Sequence, residues 1–142
     1  MLQYNKKVIK HFLKPKNAGK IKNPDAVGRL TNDACGDIME VYLRIDKKKT
    51  GKNKGREIIK DIKFQTLGCP AAIAASDVLC DLVKGKTLKE AEKIKDTDIT
   101  KKLGSLPAIK LHCSVLGSKT LRDAIEKYKE KENQKNKEET KK

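Results

Sequence analysis

Two runs of strict alternation, joined by a lysine-rich connection, limit what this chain can fold into. Met39, Val41, Leu43 and Ile45 alternate with Glu40, Tyr42, Arg44 and Asp46. Successive side chains of a strand point to opposite faces, so this spacing predicts a strand with one buried face. Ile58 to Thr66 repeats the pattern with Ile62, Phe64 and Thr66 on one side. Between the two lies Lys47 to Arg56, polar and containing Gly51 and Gly55. Strands joined by such a hairpin loop pair antiparallel.

Most of the other apolar residues fall at helical spacing. Tyr4, Val8, Ile9 and Phe12 recur at three- and four-residue steps from Gln3 to Leu13, a helix that Pro15 closes. Residues Lys16 to Gly28 are rich in Asn, Pro, Gly and Lys and read as a loop leading into the sheet. Pro70 to Lys84 is a helix stopped by Gly85. Thr87-Leu88-Lys89-Glu90 has the capping-box pattern, and Asp96 to Leu103 offers another short helix before Gly104 and Pro107. Leu121, Ala124, Ile125 and Tyr128 mark the apolar stripe of a last helix. These elements suit one domain over residues 1–128. Residues 129–142, which hold only Lys, Glu, Asn, Gln and Thr, are expected to be a frayed helix end passing into a disordered tail.

The chain of 142 residues carries a formal charge of +15. Thirty lysines against four arginines leave little forked guanidinium chemistry for reading bases, and five Tyr and Phe residues make few stacking platforms. Nucleic acid is therefore not an expected partner. Nor is a membrane, since no apolar run approaches spanning length and the first residues lack a signal-like core. A cytoplasmic protein is expected. In that setting four cysteines point to metal ligation or thiol chemistry rather than disulfides.

Three of those cysteines sit where elements meet. Cys35 lies in Asp33-Ala34-Cys35-Gly36-Asp37 before the first alternating run, and Cys69 in Gly68-Cys69-Pro70 after the second. Cys113 follows His112 near the start of the last helical region. Soft thiolates with a carboxylate or imidazole suit zinc or an iron-sulfur cluster. The chain has no close C-x2-C pair of the kind structural zinc sites use. Five donors for four positions favour ligand exchange over permanent binding. Two other readings stand beside this one: the cysteines as small buried hydrophobes, or Cys113 as a nucleophile served by His112. Cys80 falls eleven residues after Cys69 on one helix, about 16 Å away, too far for a shared small cluster. It is expected in the core, and His11 is expected to be a surface or packing histidine.

Four segments together resemble one family: Ala34-Cys35-Gly36-Asp37-Ile38-Met39, Gly68-Cys69-Pro70-Ala71-Ala72-Ile73-Ala74, Val83-Lys84-Gly85-Lys86-Thr87-Leu88 and Leu106-Pro107-Ala108-Ile109-Lys110-Leu111-His112-Cys113-Ser114. This is similar to the IscU/NifU family of iron-sulfur cluster assembly scaffolds, from about Tyr4 to Tyr128. The resemblance implies an α+β fold, a small antiparallel sheet packed against several helices with the cluster site at one end. It implies a non-enzymatic scaffold that takes sulfur from a cysteine desulfurase and iron from a donor, then passes the cluster to acceptor apoproteins. The implied ligands are Cys35, Asp37, Cys69, His112 and Cys113, with Cys113 as persulfide acceptor. The implied cargo is a 2Fe-2S cluster, or a 4Fe-4S cluster on a dimer, and zinc in the cluster-free form. The alternative is a zinc-bound sulfur acceptor of the SufU type, although that branch typically has an insertion before its third cysteine and lacks the preceding His. The chain departs from the family at Pro70, where many members have Gly. It also reads Leu106-Pro107-Ala108-Ile109-Lys110 where the Hsp70-type chaperone motif is usually Leu-Pro-Pro-Val-Lys, and its hairpin loop after Asp46 is longer than usual. It is also expected to end without the additional cysteine-bearing domains of full-length NifU.

Overall fold

A computed structural model describes residues 6–32, 36–52, 54–68, 70–104 and 112–140, excepting the side chains of 32, 37, 70, 71, 112–116 and 135–140. Three strands form one antiparallel sheet in the order β1-β2-β3: β1 Ala26–Asn32, β2 Asp37–Lys47 and β3 Glu57–Leu67. The helices are α1 Lys6–Leu13, α2 Pro70–Val83, α3 Leu88–Glu92, α4 Asp96–Leu103 and α5 His112–Thr140. The expected α+β architecture is the one observed.

The two alternating runs are β2 and β3. Met39, Val41 and Leu43 of β2 and Ile62 and Phe64 of β3 are at most 1% exposed and face the helices. The alternation of β3 breaks at one point: Arg44 pairs with Asp61 but Ile45 with Ile59, leaving Lys60 as an extra residue. This bulge reverses the phase, so Ile59 is buried and Ile58 only partly so.

β1 corrects the sequence reading, which placed residues 16–28 in a loop. Its inward residues are Ala26, Gly28 and Leu30, two of which carry almost no hydrophobic signal. The reason is the helix above them. A Cβ at Gly28 would lie 2.4 Å from the Thr120 carbonyl oxygen and 2.7 Å from the Ala124 nitrogen. The strand has exchanged side-chain bulk for close approach of α5.

Helices α2 and α5 cover the inner face. Val78, Leu79, Val83, Leu121, Ala124 and Ile125 join the strand residues in one core. Leu121, Ala124, Ile125 and the half-buried Tyr128 form the stripe that the spacing predicts. Thr87 caps α3 as expected: its hydroxyl accepts from the Glu90 N–H at 3.1 Å while the Glu90 carboxylate accepts from the Thr87 N–H at 3.2 Å. The outer edge of β3 is covered at two points. Gly19 N–H donates to the Phe64 carbonyl at 2.8 Å, and Ile59 N–H to the Lys86 carbonyl at 2.9 Å.

The segment after Tyr128 continues α5 to Thr140. Lys, Glu and Gln are good helix formers, so the backbone stays helical with nothing apolar to bury; residues 129–134 are largely exposed. Among the described residues no helix is long and apolar enough to cross a membrane.

Candidate functional site

The strand register decides which segments share an end of the sheet. β1 and β2 finish pairing at Asn32↔Asp37, and β2 and β3 at Ile38↔Leu67. The turn from β1 to β2 and the exit from β3 are thus neighbours. Cys35 itself lies outside the described residues; Gly36, which follows it in sequence, has φ +72°, a left-handed conformation that glycine adopts without strain. Cys69 also lies outside them, between Gly68 and Pro70, the first residue of α2.

Both large helices begin at this end. Gly28 of β1 packs against Thr120 and Ala124 of α5, whereas Gly117, earlier in α5, lies by Met39 and Leu79. Earlier residues of α5 therefore approach the Asn32↔Asp37 pair. From Gly117 back to Cys113 is about 6 Å of helix, and from Met39 back to Asp37 about 6.6 Å of strand. His112 and Cys113, the first two residues of α5, thus come level with Asp37, the first residue of β2. On α2, Ser76 Oγ lies 3.4 Å from Met39 Sδ, which puts Pro70 about 9 Å further toward the same end. The side chains of Asp37, His112 and Cys113 are not among those described, and the Leu106–Lys110 segment also falls outside.

Two helix N-termini directed at one end of a sheet supply partial positive charge, which favours thiolates and other anions there. Next to this end, Phe12, Ile38, Phe64, Thr66, Leu67 and Ile73 line a groove of about 500 Å³. Leu67 and Leu13 are 72% and 67% exposed.

Cys80 is separate from all of this. It is 0% exposed in the core, and burial, reinforced by the negative charges of Asp77 and Asp81, pushes its thiol well above the ordinary range. Such a thiol is neither a ligand nor a nucleophile near neutral pH.

The described residues hold one other group of possible metal ligands, His11, Asp77 and Asp81, whose donor atoms lie within 4.8 Å of one another. Their bonding is structural. Asp77, with a side chain 1% exposed, accepts from His11 Nδ1 at 2.6 Å and from the Asn17 backbone N–H and side-chain amide at 2.9 and 3.0 Å. The same amide donates to Asp81 at 3.0 Å. The network ties α1 and the following loop to α2, so His11 is the packing histidine expected. Asp77 itself escaped the sequence reading, because its partners lie 60 and 66 residues away and leave no local signal.

The NifU-like N terminal domain model matches residues 3–135. The chain belongs to that family. Among NifU-like relatives, the "Iron-sulfur cluster assembly scaffold protein IscU 1" of Archaeoglobus fulgidus is 44% identical over 125 residues, 88% of this chain and 76% of that protein. The "Iron-sulfur cluster assembly scaffold protein IscU" of Aquifex aeolicus is 40% identical over 126 residues, 89% of this chain and 76% of its own length. The "Nitrogen fixation protein NifU" of Azotobacter chroococcum is 40% identical over 132 residues, but only 40% of its length is matched. In solved structures the NifU-like fold recurs in a putative scaffold protein for the SUF system from Fervidobacterium islandicum. Its TM-score is 0.65 at 25% identity, covering 86% of this chain and 96% of that one. A NifU-like protein from Brucella abortus, at 20% identity and TM-score 0.62, covering 89% of this chain and 94% of that one, shows the fold alone.

Proposed function

We infer that this NifU-like chain is a scaffold on which an iron-sulfur cluster is assembled and from which it is handed on. Cys35, Cys69 and Cys113 are its sulfur ligands, with Asp37 or His112 completing the set. The observation that carries this reading is the convergence of the β1–β2 turn, the β3–α2 junction and the first turn of α5 at one end of the sheet. Relatives sharing 40 to 44% of their residues are named scaffolds for this assembly.

The chemistry follows from the ligand types. A cysteine desulfurase supplies sulfur as a persulfide, and the Cys113 thiolate attacks its terminal sulfur. The new S–S bond forms as the donor's S–S bond breaks, and the donor leaves as a thiolate. That sulfur is at the zero-valent level, so an external reductant must supply two electrons before it bridges iron as sulfide. The two helix N-termini keep the attacking and ligating sulfurs anionic. The cargo on one protomer is a 2Fe-2S cluster, and the same donors bind zinc when no cluster is present. Acceptor apoproteins compete for the labile Asp37 or His112 position.

Anaerobic incubation with iron, cysteine and a desulfurase tests this. A visible chromophore with acid-labile sulfide is expected for the parent protein and for Cys80→Ala, and none for Cys35→Ser, Cys69→Ser or Cys113→Ser. A chromophore that survives replacing all three cysteines overturns the reading. Ligand chemistry leaves a second reading, a zinc-bound sulfur acceptor, because three thiolates with a carboxylate or imidazole also suit zinc. Persulfide on Cys113 with zinc retained and no iron chromophore would select it.

A further inference from the structure

At the opposite end of the sheet, β2 and β3 close through Lys47-Lys48-Lys49-Thr50-Gly51-Lys52 and Lys54-Gly55-Arg56, with six cations and no carboxylate. The turn is held by its own backbone. Lys48 N–H donates to the Arg56 carbonyl at 2.9 Å, Gly55 N–H to the Lys48 carbonyl at 2.9 Å, and Lys54 N–H to the Gly51 carbonyl at 3.2 Å. Gly51 and Gly55 take φ of +76° and +87°, which bends the chain where other residues would be strained.

Other elements add cations here. The Ile58↔Thr87 bridge and the Ile59–Lys86 bond bring the exposed Lys86 and Lys89, and Lys84 paired with Asp61 at 3.7 Å, against the base of the hairpin. Lys48 and Lys86 both act electrostatically on Glu90. The nearby carboxylates have direct side-chain partners outside the hairpin, although Lys49 also acts on Asp46 through space. Asp46 accepts from its neighbour's N–H and faces Lys60, Glu57 accepts from the Tyr128 hydroxyl, and Glu90 closes the cap of α3. Among the described residues none of the six hairpin cations forms an ion pair. Packing does not require these charges, and holding them together costs repulsion.

We propose that this hairpin is a docking surface for an acidic segment of a partner protein, held at the end of the sheet remote from the Asn32↔Asp37 pair. Charge complementarity selects an anion, and the residue types select its class. Ammonium groups on flexible stems neutralise carboxylates without demanding the planar bidentate geometry that guanidinium brings to bases and phosphates. Among the described residues few aromatic rings near the hairpin are open to base stacking: Tyr42 and Phe64 are 6% and 1% exposed, and Tyr128 is half-buried with its hydroxyl bonded to Glu57. Ten residue steps of β2 separate the turn from Asp37, about 33 Å. A partner bound at the hairpin leaves the other end open. The proposal does not depend on what binds there.

The test is titration of the full chain with a poly-glutamate peptide at two salt concentrations. Compared with the parent is a variant with Lys48, Lys49, Lys52 and Lys54 replaced by Gln, keeping both glycines. A control removes the same charge at the exposed Lys7, Lys10, Lys101 and Lys102. Expected are binding that weakens as salt shortens the screening length, at least about a tenfold loss for the hairpin variant, and no more than about threefold for the control. The double variant Lys49→Gln/Lys52→Gln should fall between, with an unchanged melting temperature. Absence of peptide binding, or equal losses in hairpin variant and control, overturns the proposal. Tighter binding of duplex DNA or anionic vesicles than of the peptide, with the same hairpin dependence, assigns the surface to another class and overturns it too.

Discussion

At one end of the sheet, the Asn32↔Asp37 and Ile38↔Leu67 pairs finish beside the first turns of α2 and α5; at the other, Lys47↔Glu57 opens into a turn carrying Lys48, Lys49, Lys52, Lys54 and Arg56. The first end depends on chain geometry, because segments far apart in sequence must arrive together. The second depends on charge number, and its shape comes from a few local backbone bonds. Substitutions at the first should therefore act all-or-none, and at the second by degrees.

The largest expected effect tests the first half of that contrast. Cys113→Ser should abolish the iron chromophore while leaving the melting temperature within a few degrees of the parent, measured by anaerobic reconstitution and circular dichroism. Asp77→Ala should cost about 3 kcal/mol in urea unfolding, since it strips a buried carboxylate from His11 and Asn17 and leaves their donors unsatisfied. Gly28→Ala should cost about 2 kcal/mol, because the added methyl meets backbone atoms of α5 rather than a movable side chain. It should also lower cluster yield by shifting the first turn of α5. A yield as high as the parent's would break the link drawn between this contact and the cysteine end.

Thr87→Ala should cost about 1 kcal/mol through loss of the α3 cap. The Thr87 N–H and hydroxyl hold the Glu90 carboxyl below its usual range. A depressed carboxyl contributes stability above its unfolded pKa, about 4.3, and loses it as pH falls through the folded value. The gap between parent and variant should therefore narrow in acid denaturation curves below about pH 4. Smallest of all, replacing the four hairpin lysines by Gln should change stability by no more than about 0.5 kcal/mol, since no ion pair or core contact is lost.

The same contrast separates what could be read from the sequence. The hairpin, the β2 alternation and that of β3 from Ile62 to Thr66, the Thr87 box, the α5 stripe and the burial of Cys80 stand in the structure as expected. β1 was hidden because its inward face is Ala26 and Gly28, chosen for proximity to α5 rather than for hydrophobicity. The bulge at Lys60 and the Asn17–Asp77 network depend on partners that no local window contains. For the five proposed ligands, element boundaries suggest junction positions, while the common end of the elements that flank them follows only from strand register and from Gly117 lying by Met39.

The sealed position of Cys80 gives the molecule an internal reference. Its sulfur is screened from solvent and held protonated, so an alkylating reagent that reaches it reports an opened interior rather than cluster chemistry. Counting modified thiols thus measures the integrity of a sample before its iron is ever assayed.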